Sequence, residues 1–356
     1  MKLAIINDTH FGARGDNLNF NEFFFKFWEN IFFPYLEKHD IKTVIHLGDV
    51  VDRRKFINHN IANDFQNRFI KRLISNNIDT HILIGNHDTY FKNTNKVNAI
   101  KNLCGMYNEL HIYEDPIVVE FDELPILLMP WICEDNLDKS MDLLHNAPVE
   151  IVFGHFDITG FEMDRGNVSH EGLSRNLFER YDMVLSGHFH HRSTDGTIFY
   201  LGNQYEMTWN DYNDQRGFHV FDTETRQLEF IPNPYKMFHK VTYDDTVQNH
   251  EYWQNQNIEA FKDSMVKIIV VNKQNPFLFD TVIDSFYKAG TSNINIVEDL
   301  VDVVGEEEEE EIGKTEDTIT ILSNHIDSLS LNVNNVKLKA LMKELYVEAL
   351  NTENNA

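Results

Sequence analysis

Thr43-Val44-Ile45-His46-Leu47-Gly48-Asp49-Val50-Val51-Asp52-Arg53 passes within eleven residues from an apolar run, through a glycine, to a cluster of charge. The first five residues have the length and β-branched content of a buried strand. A strand that must turn sharply beside polar side chains favours the residue without a Cβ, and carboxylates follow at once. The same change of texture recurs along the chain. Lys2 to Asn7 leads into Asp8-Thr9-His10, Thr80 to Ile84 into Gly85-Asn86-His87-Asp88, Val149 to Phe153 into Gly154-His155, and Asp182 to Ser186 into Gly187-His188-Phe189-His190. Between these runs, residues 19–38 and 60–76 carry apolar residues at helical spacing, among them Phe65, Phe69 and Leu73. Short strands alternating with helices predict a layered α/β architecture. In such sheets the strand C-termini line a common crevice, so five ends can deliver their side chains to one point.

Further along, residues 197–201, 217–222 and 227–231 read as strands completing a second sheet, with Thr223-Glu224-Thr225-Arg226 as a hairpin turn. Beyond Pro232 and Pro234 the texture changes. Met265 to Asn272 reads as a strand, Pro276 to Lys288 as a helix opened by proline, and Asn293 to Val297 as another strand, together a small α/β domain. Glu306 to Glu311 is an unbroken acidic run of the kind that forms a solvated linker. After it, Val336, Leu338, Leu341, Met342, Leu345 and Ala349 make an apolar stripe on a helix over residues 334–350, flanked by Lys337, Lys339 and Lys343. The expected division is 1–235, 236–303, 304–317 and 318–356.

Composition removes several classes of protein. Two cysteines, Cys104 and Cys133, without CxxC spacing, exclude a disulfide scaffold and fit a reducing compartment. The first residues leave no room for a signal peptide, and no apolar run approaches the ~18 residues of a membrane span, so a cytoplasmic address away from membranes is expected. A formal charge of -26 argues against a free-standing nucleic-acid binder, which usually carries a basic face. Much of that acid, however, lies around the run at 306–311, and carboxylates that bind metal count as negative until the ions arrive.

Asp8, His10, Asp49, Asn86, His155, His188 and His190 are more ligands than one tetrahedral ion takes, and enough for two ions sharing a carboxylate. The mixed oxygen and nitrogen set without cysteine suits Mn2+ or Fe2+, with Zn2+ also open. His87, next to Asn86, cannot easily reach the same ion and so can face a phosphate as general acid, with Asp88 orienting its ring. Arg53 and Arg165 either contact phosphate or cap a carboxylate, and Asp52 and His191 are further candidates for substrate contact. The isolated histidines His39, His46, His59, His81, His111 and His170 are read as structural.

The order DxH, GDxxDR, GNHD, GH and GHxH over residues 8–190 resembles the calcineurin-like metallophosphoesterases. That resemblance implies a four-layer α-β-β-α sandwich. It implies one divalent ion on Asp8, His10 and His190, a second on Asn86, His155 and His188, and Asp49 bridging them. The motifs leave the substrate open. Gly154-His155-Phe156-Asp157-Ile158-Thr159-Gly160-Phe161-Glu162, then His190-His191, Tyr200-Leu201-Gly202 and Tyr205-Glu206-Met207-Thr208-Trp209, resemble nucleases of the SbcCD type, above all the recombination endonuclease subunits of T-even-like tailed phages. The likeness spans most of residues 1–235, and the later parts in arrangement only. It implies an Mn2+-dependent DNA exonuclease or endonuclease acting in recombination, repair and replication. It further implies a homodimer through helices presenting Phe65, Phe69 and Leu73, and Val97, Ile100 and Leu103. A capping domain at 236–303 would touch DNA, and Leu338, Leu341, Met342 and Leu345 of the 318–356 segment would grip an SMC-like, SbcC-type ATPase. One departure stands out: cellular relatives carry a histidine where this chain has Asp52-Arg53. A phosphoprotein or nucleotide phosphatase with the same dimetal core, and a non-catalytic scaffold for the ATPase, are the alternatives.

Overall fold

The computed structural model describes residues 1–298. The acidic linker expected at 304–317, and the 318–356 segment with Leu338, Leu341, Met342 and Leu345, lie outside the described residues.

Two six-stranded sheets form the body of the chain. The first runs in the order Leu228–Pro232, Gly217–Asp222, Lys2–Ile6, Thr43–His46, Asp79–Leu83, Leu110–Tyr113; the second runs Ser193–Thr194, Ile198–Tyr200, Met183–Gly187, Ile151–His155, Leu124–Met129, Ile117–Phe121. Lys2–Ile6, Thr43–His46 and Asp79–Leu83 pair in parallel, as do Leu124–Met129, Ile151–His155 and Met183–Gly187. These strands are buried on both faces, which is why they read as continuous apolar runs.

Alternation along each strand sorts the side chains into layers. Leu3, Ile5, Ile45 and Leu83 meet Ile126, Leu128, Phe153 and Leu185 between the sheets. Ala4, Ile6, Val44 and Ile82 face a helical layer on one side, while Leu127, Met129, Val152 and Val184 face Leu144 and Phe178 on the other. The result is the four-layer α-β-β-α sandwich.

The structure corrects one sheet assignment. Gly217–Asp222 and Leu228–Pro232 extend the first sheet, through antiparallel pairing with Lys2–Ile6, and only Ile198–Tyr200 joins the second. Phe218 and Val220 turn to the helical layer and Phe221 to the space between the sheets. Such a two-sided apolar pattern suits either sheet equally, so the pattern alone does not choose.

The helical layer over the first sheet is dominated by aromatics. Residues 18–38 are helical with a π-helical stretch at Trp28–Phe32, and residues 59–75 are helical with another at Phe65–Ile70. Phe11 lies 4.9 Å from Phe65, and Trp28 lies 4.9 Å from Phe69, centroid to centroid. Phe65, Phe69, Leu73 and Ile100 are 0–2% exposed. Their expected place on a dimer face is therefore corrected: the apolar stripe covers its own sheet. Val97 is 43% exposed and Leu103 half-buried.

A third sheet, all parallel, runs Phe238–Asp244, Met265–Asn272, Asn293–Val297. Helix Pro276–Ala289 lays Leu278, Phe279, Val282 and Phe286 on it. The strand Phe238–Asp244 went unrecognised in the sequence. The Glu206 carboxylate accepts from the Met237 and Phe238 amides at 2.7 and 2.9 Å, fixing where this part begins.

Because Phe69 is a core residue, Phe69→Ala is expected to cost about 3–5 kcal/mol of stability. Phe69→Glu is expected to unfold the chain rather than merely to dissociate it, since an unpaired carboxylate would enter the same site. Denaturant unfolding with parallel sedimentation checks both: a folded, monomeric Phe69→Glu protein would contradict the packing.

Candidate metal centre

Three strand ends of the first sheet and two of the second open toward one point. Asp8 and His10 follow Lys2–Ile6, Asp49 follows Thr43–His46, and Asn86 and His87 follow Asp79–Leu83. His155 ends Ile151–His155, and His188 and His190 follow Met183–Gly187. Parallel pairing makes this automatic, because neighbouring strands end on the same edge of the sheet.

The turns are tight enough to force unusual backbone. Asp8, His10, Asp49 and His188 all have left-handed φ, between 42° and 85°. Non-glycine residues rarely adopt this conformation, and when they do it marks a constrained site. A Cβ on Gly48 would lie 2.7 Å from His155 Nδ1, and one on Gly85 would lie 2.2 Å from both the amide nitrogen and Oδ1 of Asp49. Only glycine permits the three loops to approach so closely.

The side chains fall into overlapping sets whose donor atoms lie within 4.8 Å of one another: Asp8, His10 and His190; His10, Asp49 and His87; Asp49, His155 and His188. Asp49 joins the last two. His155 Nε2 is 3.4 Å from Asp49 Oδ2 and 2.9 Å from Asn86 Oδ1. His10 Nε2 is 3.1 Å from His190 Nε2, 3.8 Å from Asp49 and 3.9 Å from Asp8.

Electrostatics follow from burial. Asp8 and Asp49 are 0% and 2% exposed. Burial disfavours ionisation of Asp49, yet His155 and His87 outweigh it and hold the carboxyl well below the usual carboxylate range. Burial pushes Asp8 upward, against the pull of His155. In His155, burial disfavours the cation, but Asp49 and Asp8 push the imidazole up to about 9. Burial, reinforced by His155, pushes His188 down to about 3, leaving a neutral ring with a free lone pair.

The donor set fits divalent metal. Two imidazole nitrogens facing each other at 3.1 Å, beside two buried carboxylates, are better satisfied by a cation than by each other. Surrounding bonds also fix the tautomers. His155 Nδ1 donates to the Leu47 carbonyl at 2.8 Å, which leaves Nε2 to coordinate.

Asp88 does something other than expected. Its carboxylate accepts from the amides of Val50 at 2.8 Å, Val51 at 3.1 Å and Gly85 at 2.8 Å, stitching two of the loops together. It is spent on the backbone and does not hold the His87 ring. His87 Nδ1 instead donates to the Asp52 carbonyl at 2.6 Å, which turns Nε2 toward the centre. The two rings His10 and His87 stand 4.9 Å apart.

The outlying candidates separate. Asp52 Oδ1 is 3.4 Å from His10 Nδ1. Arg53 is tied to Asp16, with its guanidinium 4.5 Å from the Phe56 ring centroid, so it caps a carboxylate. Arg165 is exposed in the turn between the short strands Glu162–Asp164 and Asn167–Val168. His191 is held by Asp214 at 2.8 Å and faces Glu162 at 3.5 Å. His46 is a satisfied buried residue: Nδ1 accepts from the Gly48 amide at 3.2 Å, Nε2 meets Thr9 at 3.0 Å, and burial pushes it down to about 3.

Several contributors went unrecognised in the sequence. Asn7 donates to Asp8 Oδ2 at 2.5 Å and to the Gly202 carbonyl at 3.0 Å. Trp131 packs 5.2 Å from His188 and 6.0 Å from His155. Its signal was present, because Leu124–Met129 is one more apolar run, ending in Pro130-Trp131. Buried Arg216 binds the His190 carbonyl, Asp211 at 2.7 Å and Asp214 at 3.0 Å, and nothing local in the sequence announces it.

A two-sheet sandwich with histidines and carboxylates on converging strand ends defines a class, and the calcineurin-like phosphoesterase family profile matches residues 1–192: the chain belongs to that family. Over 352 residues the chain is 28% identical to Exonuclease subunit 1 of Enterobacteria phage T4, covering 98% of this chain and 99% of that protein. It is 26% identical over 160 residues to the SbcD subunit of the nuclease SbcCD from Staphylococcus epidermidis, covering 38% and 41%. A solved archaeal phosphodiesterase is 19% identical, with a TM-score of 0.32 over 65% of this chain and all of that one. Among the described residues no helix is long and apolar enough to cross a membrane.

Asp88→Asn leaves one acceptor oxygen for three amides. It is expected to cost about 1–3 kcal/mol of stability and to weaken retention of divalent metal. Thermal melts together with the metal content after dialysis check this; unchanged values for both would rule out the stitching role.

Proposed function

We propose that this chain is a metal-dependent DNA nuclease, an exonuclease or endonuclease subunit that works with an SMC-like ATPase in recombination, repair and replication. The observation that carries the proposal is Asp49, a buried carboxylate common to two sets of donors, in a chain similar along nearly its whole length to a phage exonuclease subunit. On this reading Asp8, His10 and His190 would hold one divalent ion and Asn86, His155 and His188 a second, with Asp49 available to both, and Mn2+ is the ion that suits the donors. When bound, the two ions supply Lewis-acid polarisation of the phosphate and activation of the attacking water.

The chain's own groups complete the chemistry. His87, with Nδ1 fixed on the Asp52 carbonyl, presents Nε2 to the leaving oxygen and donates the proton as the P–O bond breaks. Asp52 lies beside His10 and His87, and on this reading His191, which follows His190, and Arg165, on its exposed turn, would contact a passing strand of nucleic acid. Asp88 and Arg216 hold the loops in register. The remaining parts keep the division drawn from the sequence: a nuclease domain at 1–235, a DNA-capping domain at 236–303, an acidic linker at 304–317 and an ATPase-binding segment at 318–356. Two copies associate, through a surface that Val97 can join and that Phe65, Phe69, Leu73 and Ile100 cannot. The place of action is the cytoplasm of the infected host.

Mn2+-dependent hydrolysis of end-labelled linear duplex DNA, beside a small phosphate monoester, tests the substrate class. DNA cleavage is expected, and release of phosphate from the monoester with intact DNA would identify a phosphatase instead. His87→Ala is expected to keep its metal content while losing ~100-fold or more in turnover, the scale of a lost general acid. Loss of an ion in that variant would make His87 a ligand.

Removal of residues 318–356 is expected to abolish binding of the ATPase while leaving hydrolysis of a small phosphodiester nearly unchanged. Collapse of both activities together would place that segment in the catalytic core.

A further inference from the structure

We propose that Asp79, His81 and His111 form a separate metal site that takes a borderline divalent cation, Zn2+ above others. The three sit at the opposite end of the first sheet from Asp49. His81 precedes Asn86 by five residues, about 16 Å along an extended strand, so the two sites share no ligand.

Strand geometry assembles the trio. Asp79 and His81 are two residues apart on Asp79–Leu83 and so project from one face. His111 is the register partner of His81 on the neighbouring strand Leu110–Tyr113. Their donor atoms all lie within 4.8 Å of one another. His81 Nε2 is 3.1 Å from Asp79 Oδ2, and His111 Nε2 is 3.0 Å from Asp79 Oδ1. The two rings are nearly parallel, 4.6 Å apart at 19°, and both Nε2 atoms face the Asp79 carboxylate. A tetrahedral zinc ion with bonds of ~2.0–2.1 Å spaces its ligand atoms about 3.3–3.4 Å apart. The two carboxylate–imidazole separations, 3.1 and 3.0 Å, need open by only a few tenths of an ångström to receive it.

The shell behind the ligands is built as metal sites require. His81 is 4% exposed and packs on Phe121; its Nε2 faces Asp79, and its Nδ1 lies 2.8 Å from the Tyr113 hydroxyl, which can accept from it when Nε2 coordinates. Burial also keeps this imidazole neutral. Asp79 and His111 have side chains 52% and 49% exposed, so a cation enters directly from solvent. Two imidazoles and one carboxylate select zinc-like ions over Mg2+ or Ca2+. An ion bound there ties two parallel strands together and stabilises the folded state by mass action.

The test is zinc content of the full chain after equilibrium dialysis, for the parent, His111→Ala and Asp79→Asn. The parent is expected to hold about one more zinc per chain than either variant, a three-ligand site losing a ligand. Zinc is also expected to raise the parent's melting temperature more than theirs. Tyr113→Phe should weaken that zinc about tenfold or more. Zinc that enters the centre around Asp49 does so in all of these proteins and cancels in the difference. Mn2+-dependent hydrolysis stays at the parent rate in every variant, so this result stands or falls apart from the nuclease reading. Equal zinc content throughout would overturn the site and leave a carboxylate–imidazole ion pair only. Should a variant fail to fold, anomalous scattering at the zinc edge from zinc-soaked parent crystals decides: a peak among the three side chains supports the site, and none refutes it.

Discussion

The carboxylate of Asp49 lies inside the protein, and a buried carboxylate is costly unless charge and hydrogen bonds answer it. Here Asp49 Oδ1 accepts from the His87 amide at 2.8 Å, while His155 and His10 approach Oδ2. Gathering those partners around one side chain draws loops from both sheets so close together that Gly48 and Gly85 leave no space for a Cβ. It also holds Asp8, His10, Asp49 and His188 in left-handed backbone. Conformations of that kind persist only where the surroundings over-determine them.

The surroundings are the sandwich. Parallel pairing carries the strand ends to one edge without any loop having to reach. Apolar cores between and outside the sheets keep those strands rigid. The aromatic layer of Phe11, Trp28, Phe65 and Phe69 lies directly beneath the loop that bears His10, so packing and site geometry are coupled there. Asp88 and Arg216 do for the loops what the cores do for the strands: each spends its buried polar side chain on backbone or neighbouring carboxylates, and each fixes a turn that carries ligands.

The charge balance of the chain takes its meaning from the same centre. A formal charge of -26 repels a polyanion, and the anionic cluster around Asp49 does so locally until cations fill it. Bound divalent ions become the largest charges at the site and reverse that field. On the proposed reading, a protein so acidic would meet a phosphodiester at the metal rather than across a basic face.

Sequence by itself determined the succession of strand, glycine and ligand, because strand length, apolar content and the chemistry of Asp, His and Asn are local properties. The layered fold and all of Asp8, His10, Asp49, Asn86, His155, His188 and His190 as metal-ligand candidates came from that succession, while the helix read from Pro276 to Lys288, observed as Pro276–Ala289, was legible from its opening proline and its flanking strands from their apolar runs. What tertiary structure alone decided are matters of which face meets which neighbour. An alternating or two-sided apolar strand such as Gly217–Asp222 can join either sheet, and only its pairing with Lys2–Ile6 selects one. A helical stripe such as Phe65, Phe69 and Leu73 is compatible with a partner subunit or with its own sheet, and only the fold, which leaves the three 0–2% exposed against that sheet, chooses. A carboxylate beside a histidine in sequence, as Asp88 is beside His87, is free to bind whatever donors folding brings nearest, and those were three backbone amides.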